Sequence, residues 1–144
     1  MNIVDFRQLH SELIAEYQLV EEKLRFIYLY LDKYGFNLGL EFVRYWDSLN
    51  KESIGELIKL INKKSKEHKI IVFNKELLDL IDKVREKRNF WCHQCYLKIV
   101  FRRNGESKLK DLEERMNSDM DDAKKLVLDL IGVIDRVEKY FGNK

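Results

Sequence analysis

The sequence predicts an all-α protein, a four-helix bundle with long antiparallel helices and a short extra helix. Two observations support this fold class. None of the 144 residues is proline, although proline usually marks turns and loops. Apolar residues also recur at alternating steps of three and four over long stretches, which places them on one face of a helix. We therefore expect a single helical-bundle domain covering residues 1–144.

The N-terminal part of the chain carries the clearest helical pattern. Its apolar seam continues to Leu31, and Gly35 follows as a residue that can end a helix in the left-handed conformation. We expect a short helix with turns in residues 36–52. Ser53 and Glu56 then form a capping box that begins the next helix. The first seam consists of Ile3, Phe6, His10, Leu13, Tyr17, Val20, Leu24, Ile27 and Leu31.

The sequence pattern in the second half of the chain predicts two further helices. Residues 70–73 are β-prone but have no obvious partner strand, so we interpret them as a buried connector. Asn74 is a suitable N-cap for a helix spanning about Lys75–Phe101. Asn104-Gly105 marks a turn, and a last helix spans about Ser107–Phe141. Helices this long make a rod with exposed flanks, so we expect a homodimer.

The charge of the chain is unevenly distributed. Lys59–Lys110 holds 15 of the 27 basic residues but only 6 of the 25 acidic residues. Such a segment can attract phosphate groups, although lysine-rich helix faces also serve solubility alone, and both interpretations stay open. No apolar run is long enough to span a bilayer, and the N-terminus lacks a signal-peptide pattern. We expect a cytoplasmic protein without membrane contact.

One position of the third helix breaks its apolar seam. Leu77, Ile81, Val84, Trp91 and Cys95 continue the seam, but Arg88 replaces an apolar residue in it. A guanidinium on a core-facing seam needs a partner or a water-filled cleft. Such breaks in patterning tend to lie at functional sites. Beside the seam, a polar ridge is predicted that consists of Arg85, Asn89, His93 and Tyr96.

Arg88, Asn89 and His93 give this region a resemblance to a known family. The arrangement Arg88-Asn89-x3-His93, late in an all-α chain of this size, resembles the R-x4-6-H signature of the HEPN (higher eukaryotes and prokaryotes nucleotide-binding) superfamily. The resemblance implies a dimeric helical bundle in which two motifs come together. It implies a metal-independent endoribonuclease, often a toxin or phage-defence effector, and an antitoxin protein as a further partner.

The resemblance implies roles for particular residues. Arg88 and His93 would be the catalytic pair and Asn89 the polar third member. Histidine titrates near neutrality and can relay a proton, and arginine can stabilise the phosphoryl group that gains charge. RNA would be the partner, and no metal or cofactor is expected. The residues expected to bind RNA are Arg85, Lys87, Tyr96, Arg102 and Arg103.

Other interpretations of these residues stay open. Arg88 and His93 can instead form a structural polar network in a non-catalytic dimerisation or protein-interaction module. Cys92 and Cys95 supply only two thiolates, whereas a structural zinc needs four ligands. His10 breaks the first seam and is either a hydrogen-bonded core histidine or a further member of the site.

Overall fold

The computed structural model describes residues 3–33, 40–49, 52–94 and 105–142. Within these ranges the protein is all-α and contains no β-strand, which confirms the all-α part of the prediction. A π-helical turn, Phe90–Gln94, directly continues the fourth α-helix. The α-helices are α1 (Ile3–Lys33), α2 (Leu40–Leu49), α3 (Ile54–His68), α4 (Lys75–Asn89) and α5 (Gly105–Gly142).

The two longest helices form the centre of the protein. Helix α1 packs against α5 and α3, and α4 packs against α5. The predicted seam of α1 is confirmed from Phe6 to Leu31, where its apolar members are buried. The α5 residues in the core include Leu112, Met116, Met120, Ala123, Leu126, Val127, Leu130, Val133, Val137 and Phe141. Burial of apolar seams on facing helices is the main favourable contribution to folding here.

The predicted helix starts are also confirmed. The Ser53 hydroxyl accepts a hydrogen bond from the backbone N–H of Glu56 at 3.2 Å, at the start of α3. The Asn74 side chain accepts one from the backbone N–H of Leu77 at 2.8 Å, at the start of α4. Each cap satisfies a backbone donor that has no partner inside its helix.

The connector between α3 and α4 is irregular, as predicted, and only part of it is buried. Lys69 ends α3 in the left-handed conformation, with φ of 57°. Val72 and Phe73 then enter the core, whereas Ile71 is 84% exposed. The expectation that the whole run is buried is therefore wrong at Ile71, whose side chain faces solvent just before the chain turns into the core.

The third predicted helix differs most from expectation. A regular α-helix was expected to continue to about Phe101, but the α-helical winding ends at Asn89 and a π-helical turn follows. Within that turn, the Trp91 carbonyl oxygen accepts a hydrogen bond from His10 at 2.7 Å. A side chain that bonds to a helix carbonyl in this way disturbs the regular hydrogen-bond ladder. Residues 95–104, including the predicted Asn104 turn, lie outside the described residues.

None of the helices in the described ranges combines the length and the apolar character that crossing a bilayer requires.

Candidate functional site

Arg88 lies on the core-facing side of α4 and has an acidic partner on α1. Its Nε lies 2.9 Å from Oε1 of Glu21, and both side chains are largely buried, with 24% and 14% exposed. The other carboxylate oxygen of Glu21 lies 3.5 Å from Nη2 of Arg25. The break in the apolar seam is thus accommodated by a carboxylate shared between two arginines.

The π-helical turn is held by two further helices through Trp91, which is fully buried. Its indole N–H donates a hydrogen bond to Oδ2 of Asp119 on α5 at 2.7 Å. Its backbone carbonyl accepts one from His10 on α1. Since His10 bonds to the carbonyl oxygen of the buried Trp91, the structure favours the interpretation of His10 as a hydrogen-bonded core histidine.

Two groups near the turn are kept in their neutral forms. Burial raises the pKa of the Tyr17 hydroxyl, and the nearby Asp119 carboxylate raises this pKa further. That hydroxyl has no hydrogen-bond partner among the described residues. Burial also raises the pKa of the Cys92 thiol, against the opposing effect of the Arg88 guanidinium. A thiol with a raised pKa is a poor nucleophile at neutral pH.

The polar ridge predicted beside the seam lies on the surface where it is described. Arg85, Asn89 and His93 are exposed. Nη1 of Arg88 donates a hydrogen bond to Oδ1 of Asn89 at 3.4 Å, so the structure brings these two predicted catalytic residues together. His93 belongs to the π-helical turn, where hydrogen bonds join residues five apart. Arg88, in the last turn of α4, is therefore mostly buried, whereas His93, in the π-helical turn, is exposed.

An open cavity of about 340 Å³ lies between the start of α3 and the end of α4. Three basic side chains line it together with two acidic ones. Gly55 leaves room for Arg85, because a Cβ at that position would lie 3.3 Å from Nη1 of Arg85. The lining consists of Ser53, Ile54, Gly55, Glu56, Lys59, Arg85, Glu86, Arg88 and Asn89.

The expected RNA-binding residues divide into two groups. Arg85 lines the cavity, and Lys87 is partly buried near the end of α4. Tyr96, Arg102 and Arg103 lie outside the described residues.

Sequence reasoning missed the residues that other helices bring to this region. These include Glu21, Asp119 and Arg115, whose guanidinium lies 4.9 Å from the centre of the Phe90 ring. Each of them comes from α1 or α5, and no local pattern links it to α4.

Among the described residues, no group of three or more His, Cys, Asp or Glu side chains is arranged to hold a metal ion. Cys92 lies within the π-helical turn, whereas Cys95 lies outside the described residues.

Comparisons with known proteins give no family assignment. No protein-family model matches this chain, and comparisons with curated proteins and with solved structures found no match. The resemblance to the HEPN superfamily therefore depends on the Arg88-Asn89-x3-His93 motif and the all-α architecture.

Proposed function

We propose that this protein is a HEPN-like four-helix bundle that acts as a metal-independent endoribonuclease or RNA-binding effector of the toxin or phage-defence type. Helix α2 would be the short extra helix of this bundle. Arg88, Asn89 and His93 would form its site, which is composite in a homodimer. An antitoxin protein would be a natural further partner of such an effector.

The observation that carries the proposal is the position of the π-helical turn. It begins immediately after Asn89 and contains His93, so the irregular winding lies inside the motif itself. Single π-helical turns within α-helices frequently occur at functional sites. The surrounding contacts hold this winding in place, since Trp91 donates a hydrogen bond to Asp119 and its carbonyl accepts one from His10.

The charges around the motif support an RNA ligand. Arg88, Arg85 and Lys59 outnumber Glu56 and Glu86 in the lining of one open cavity, and Arg88 is fixed by Glu21 on the side facing the core. Since Nε of Arg88 binds Glu21, its remaining guanidinium N–H groups include donors for a phosphate at the cavity.

The chemistry requires only groups that this chain supplies. The ribose 2′ oxygen forms a bond to the adjacent phosphorus while the bond from phosphorus to the 5′ oxygen breaks. His93 takes the proton of the 2′-OH and relays it to the leaving 5′ oxygen, so the step neither gains nor loses a proton. Arg88 stabilises the phosphoryl oxygens as they gain charge. The products are a 2′,3′-cyclic phosphate and a 5′-hydroxyl end.

The test is cleavage of a broad RNA panel in EDTA by wild type and by the Arg88→Ala and His93→Ala variants. We expect cleavage by wild type to leave 5′-hydroxyl ends, and each variant to lose at least about a hundredfold in rate. His93 is exposed, so His93→Ala should unfold at the same temperature as wild type. Asn117→Ala, an exposed polar change on α5, is the matched control and should cleave normally. An inert wild type, or undiminished cleavage by both variants, would exclude the nuclease.

A specific observation favours one alternative, a non-catalytic helical interaction module. The Arg88–Glu21 pair and the Trp91–Asp119 hydrogen bond together join α4 and its π-helical turn to α1 and α5. A polar network of this kind can fix the arrangement of helices without any chemistry. In that case Arg88→Ala lowers the free energy of unfolding, while RNA neither binds nor is cleaved in wild type.

A further inference from the structure

The solvent face of α5 carries a second regular pattern. Six exposed residues follow one another in steps of four, three, four, three and four, directly opposite the buried seam that contains Leu130. In order they are Asp121, Lys125, Leu128, Gly132, Asp135 and Lys139. We call this row the outer seam. Its steps are those of a helix face that contacts another helix.

The centre of the outer seam is not a typical solvated surface. Leu128 is 69% exposed, and Ile131 beside it is 42% exposed. Gly132 lies inside a helix, where glycine is less favourable than alanine. A Cβ at Gly132 would meet nothing within 4 Å, so no packing within this chain requires a residue that small. A glycine flanked by exposed apolar side chains allows another helix to approach closely.

An open groove runs beside the same glycine. It has a volume of about 530 Å³ and separates the start of α4 from α5. Leu77 and Leu128 supply its apolar lining, and the charged side chains around it balance in number. The lining consists of Asn74, Glu76, Leu77, Lys125, Leu128, Asp129, Gly132 and Arg136. The groove therefore offers space for an apolar side chain over Gly132.

We propose that the outer seam is the contact surface for a second copy of this chain, with the two α5 helices antiparallel and crossing at Leu130. In this arrangement Leu128 of each copy lies over Gly132 of the other. Lys125 faces Asp135, and Asp121 faces Lys139, each twice because the contact has two-fold symmetry. The six outer-seam positions of one copy thus complement the same six positions of the other copy in size and in charge.

Other registers lack this complementarity. Parallel helices would place every residue opposite its own copy, so Asp135 would face Asp135 and Lys139 would face Lys139. An antiparallel crossing centred on Gly132 would place Lys125 opposite Lys139. Like charges at such positions suppress the wrong pairing. Charge therefore disfavours both the parallel pairing and the antiparallel crossing at Gly132.

The charged residues of the outer seam are available for contacts with another chain. Lys125 lies 3.8 Å from Asp129 of its own helix, with both side chains exposed. A long, exposed pair of this kind contributes little stability. Ion pairs between residues four apart within α5 explain part of the charge pattern. They do not explain why an apolar residue and a glycine occupy the exposed positions 128 and 132.

The outer seam is separate from the site proposed above. Asp119, which binds Trp91 of the π-helical turn, lies about 16 Å along α5 from the crossing point. The two π-helical turns would therefore lie far apart across this contact. A composite site would need a further interface, and the outer seam would then join dimers into a tetramer. The outer-seam proposal does not rest on the proposed function.

The first experiment measures mass against protein concentration by light scattering. We expect wild type to self-associate in the micromolar range. Gly132→Leu places a large side chain in the groove without disfavouring the helix, and it should halve the mass of the associated species. Lys125→Glu and Asp135→Lys should each raise the dissociation constant at least tenfold, and the double variant should restore association. Monomeric wild type, or variants that associate normally, would overturn the proposal.

Cross-linking tests the register directly. In a background of Cys92→Ser and Cys95→Ser, Leu128→Cys and Gly132→Cys chains are mixed and oxidised. A disulfide is expected in the mixture and not in either variant alone. A cross-link in Leu128→Cys alone would indicate a different register. No cross-link in any sample would indicate that something other than a second copy covers the outer seam. Either result overturns the proposal. Every outer-seam variant should keep the helicity of wild type and any RNA cleavage, so failure here is distinguishable from failure of the nuclease.

Discussion

Glu21 on α1 and Arg88 on α4 form an ion pair in which Oε1 and Nε are 2.9 Å apart. Arg88 interrupts the apolar seam of α4, and Glu21 lies on α1 one turn before the buried Arg25. Removing one partner from a largely buried pair leaves an uncompensated charge, which destabilises more than the intact pair stabilises. The pair therefore fixes the position of Arg88 whether or not the protein binds RNA.

The first prediction concerns this ion pair. Glu21→Gln removes the charge that Arg88 binds, so we expect the free energy of unfolding in urea to fall by about 1–2 kcal/mol. Glu22→Gln is the matched control, because the Glu22 side chain is 38% exposed and, within the described part of the chain, pairs only with the adjacent Lys23. This control should change stability by less than about 0.5 kcal/mol. Equal effects of the two substitutions would contradict the assigned role of Glu21.

The second prediction concerns the hydrogen bond between Trp91 and Asp119. Asp119→Ala leaves a buried indole N–H without an acceptor and should lower the free energy of unfolding by about 2–3 kcal/mol. Asp119→Asn keeps an acceptor oxygen and should cost less. In a double-mutant cycle with Trp91→Phe, the two losses should be less than additive, since both changes remove the same bond. Strict additivity would show that the bond contributes nothing.

The third prediction is a loss of stability at high pH. Burial raises the pKa of Tyr17 above its ordinary value, and a hydrogen bond to Glu138 raises the pKa of Tyr30 to about 12. Both phenols therefore keep their protons longer in the folded state. Their contribution to stability is complete below pH about 10 and is lost as the pH rises further, by about 1.4 kcal/mol per pH unit for a fully buried group.

Tyr17→Phe tests that prediction. The Tyr17 hydroxyl is buried and has no hydrogen-bond partner among the described residues, so its removal should leave stability at pH 7 unchanged or higher. Above pH 10, urea unfolding should show a shallower fall in stability than in wild type. Tyr30→Phe should flatten the fall less, because Tyr30 lies nearer the surface. An unchanged slope in Tyr17→Phe would refute the assigned titration.

The sequence predicted what depends on local pattern. The seam of α1 is buried because a 3–4 spacing puts Leu13, Val20 and Leu24 on one face, whatever that face packs against. Ser53 and Asn74 were found as caps because capping needs only residues within one turn. The anomaly at Arg88 was also visible in the sequence, since it interrupts a regular seam.

The residues that contact Arg88 and the π-helical turn could not be predicted from local pattern. Glu21 lies in another helix, and its role follows from how α1 and α4 are aligned. The π-helical turn was missed because it accompanies long-range hydrogen bonds that Trp91 makes with His10 and Asp119 rather than any break in the apolar spacing. Tertiary contacts of this kind override local helical preference.

The fourth prediction concerns the reactivity of Cys92. Burial raises the pKa of its thiol, while the Arg88 guanidinium lowers it. In a Cys95→Ser background at pH 8, iodoacetamide should therefore modify folded Cys92 more slowly than the urea-unfolded chain. Arg88→Ala should slow the reaction further, and Arg88→Lys, which keeps the positive charge, should react at nearly the wild-type rate. Faster alkylation of Arg88→Ala would show that access, not charge, controls the thiol.

The fifth prediction tests whether the proposed nuclease site is shared between chains. If Arg88 of one copy acts with His93 of another, mixing the inactive Arg88→Ala and His93→Ala proteins creates heterodimers with one intact site. Random mixing makes half of the dimers hetero, so RNA cleavage should recover to roughly a quarter of the wild-type rate. Adding Gly132→Leu to both chains should leave this recovery intact, because the outer seam lies away from the π-helical turn. No recovery, with wild type active, would show instead that each chain carries a complete site, and an observed dependence on Gly132 would place the shared site at the α5 crossing.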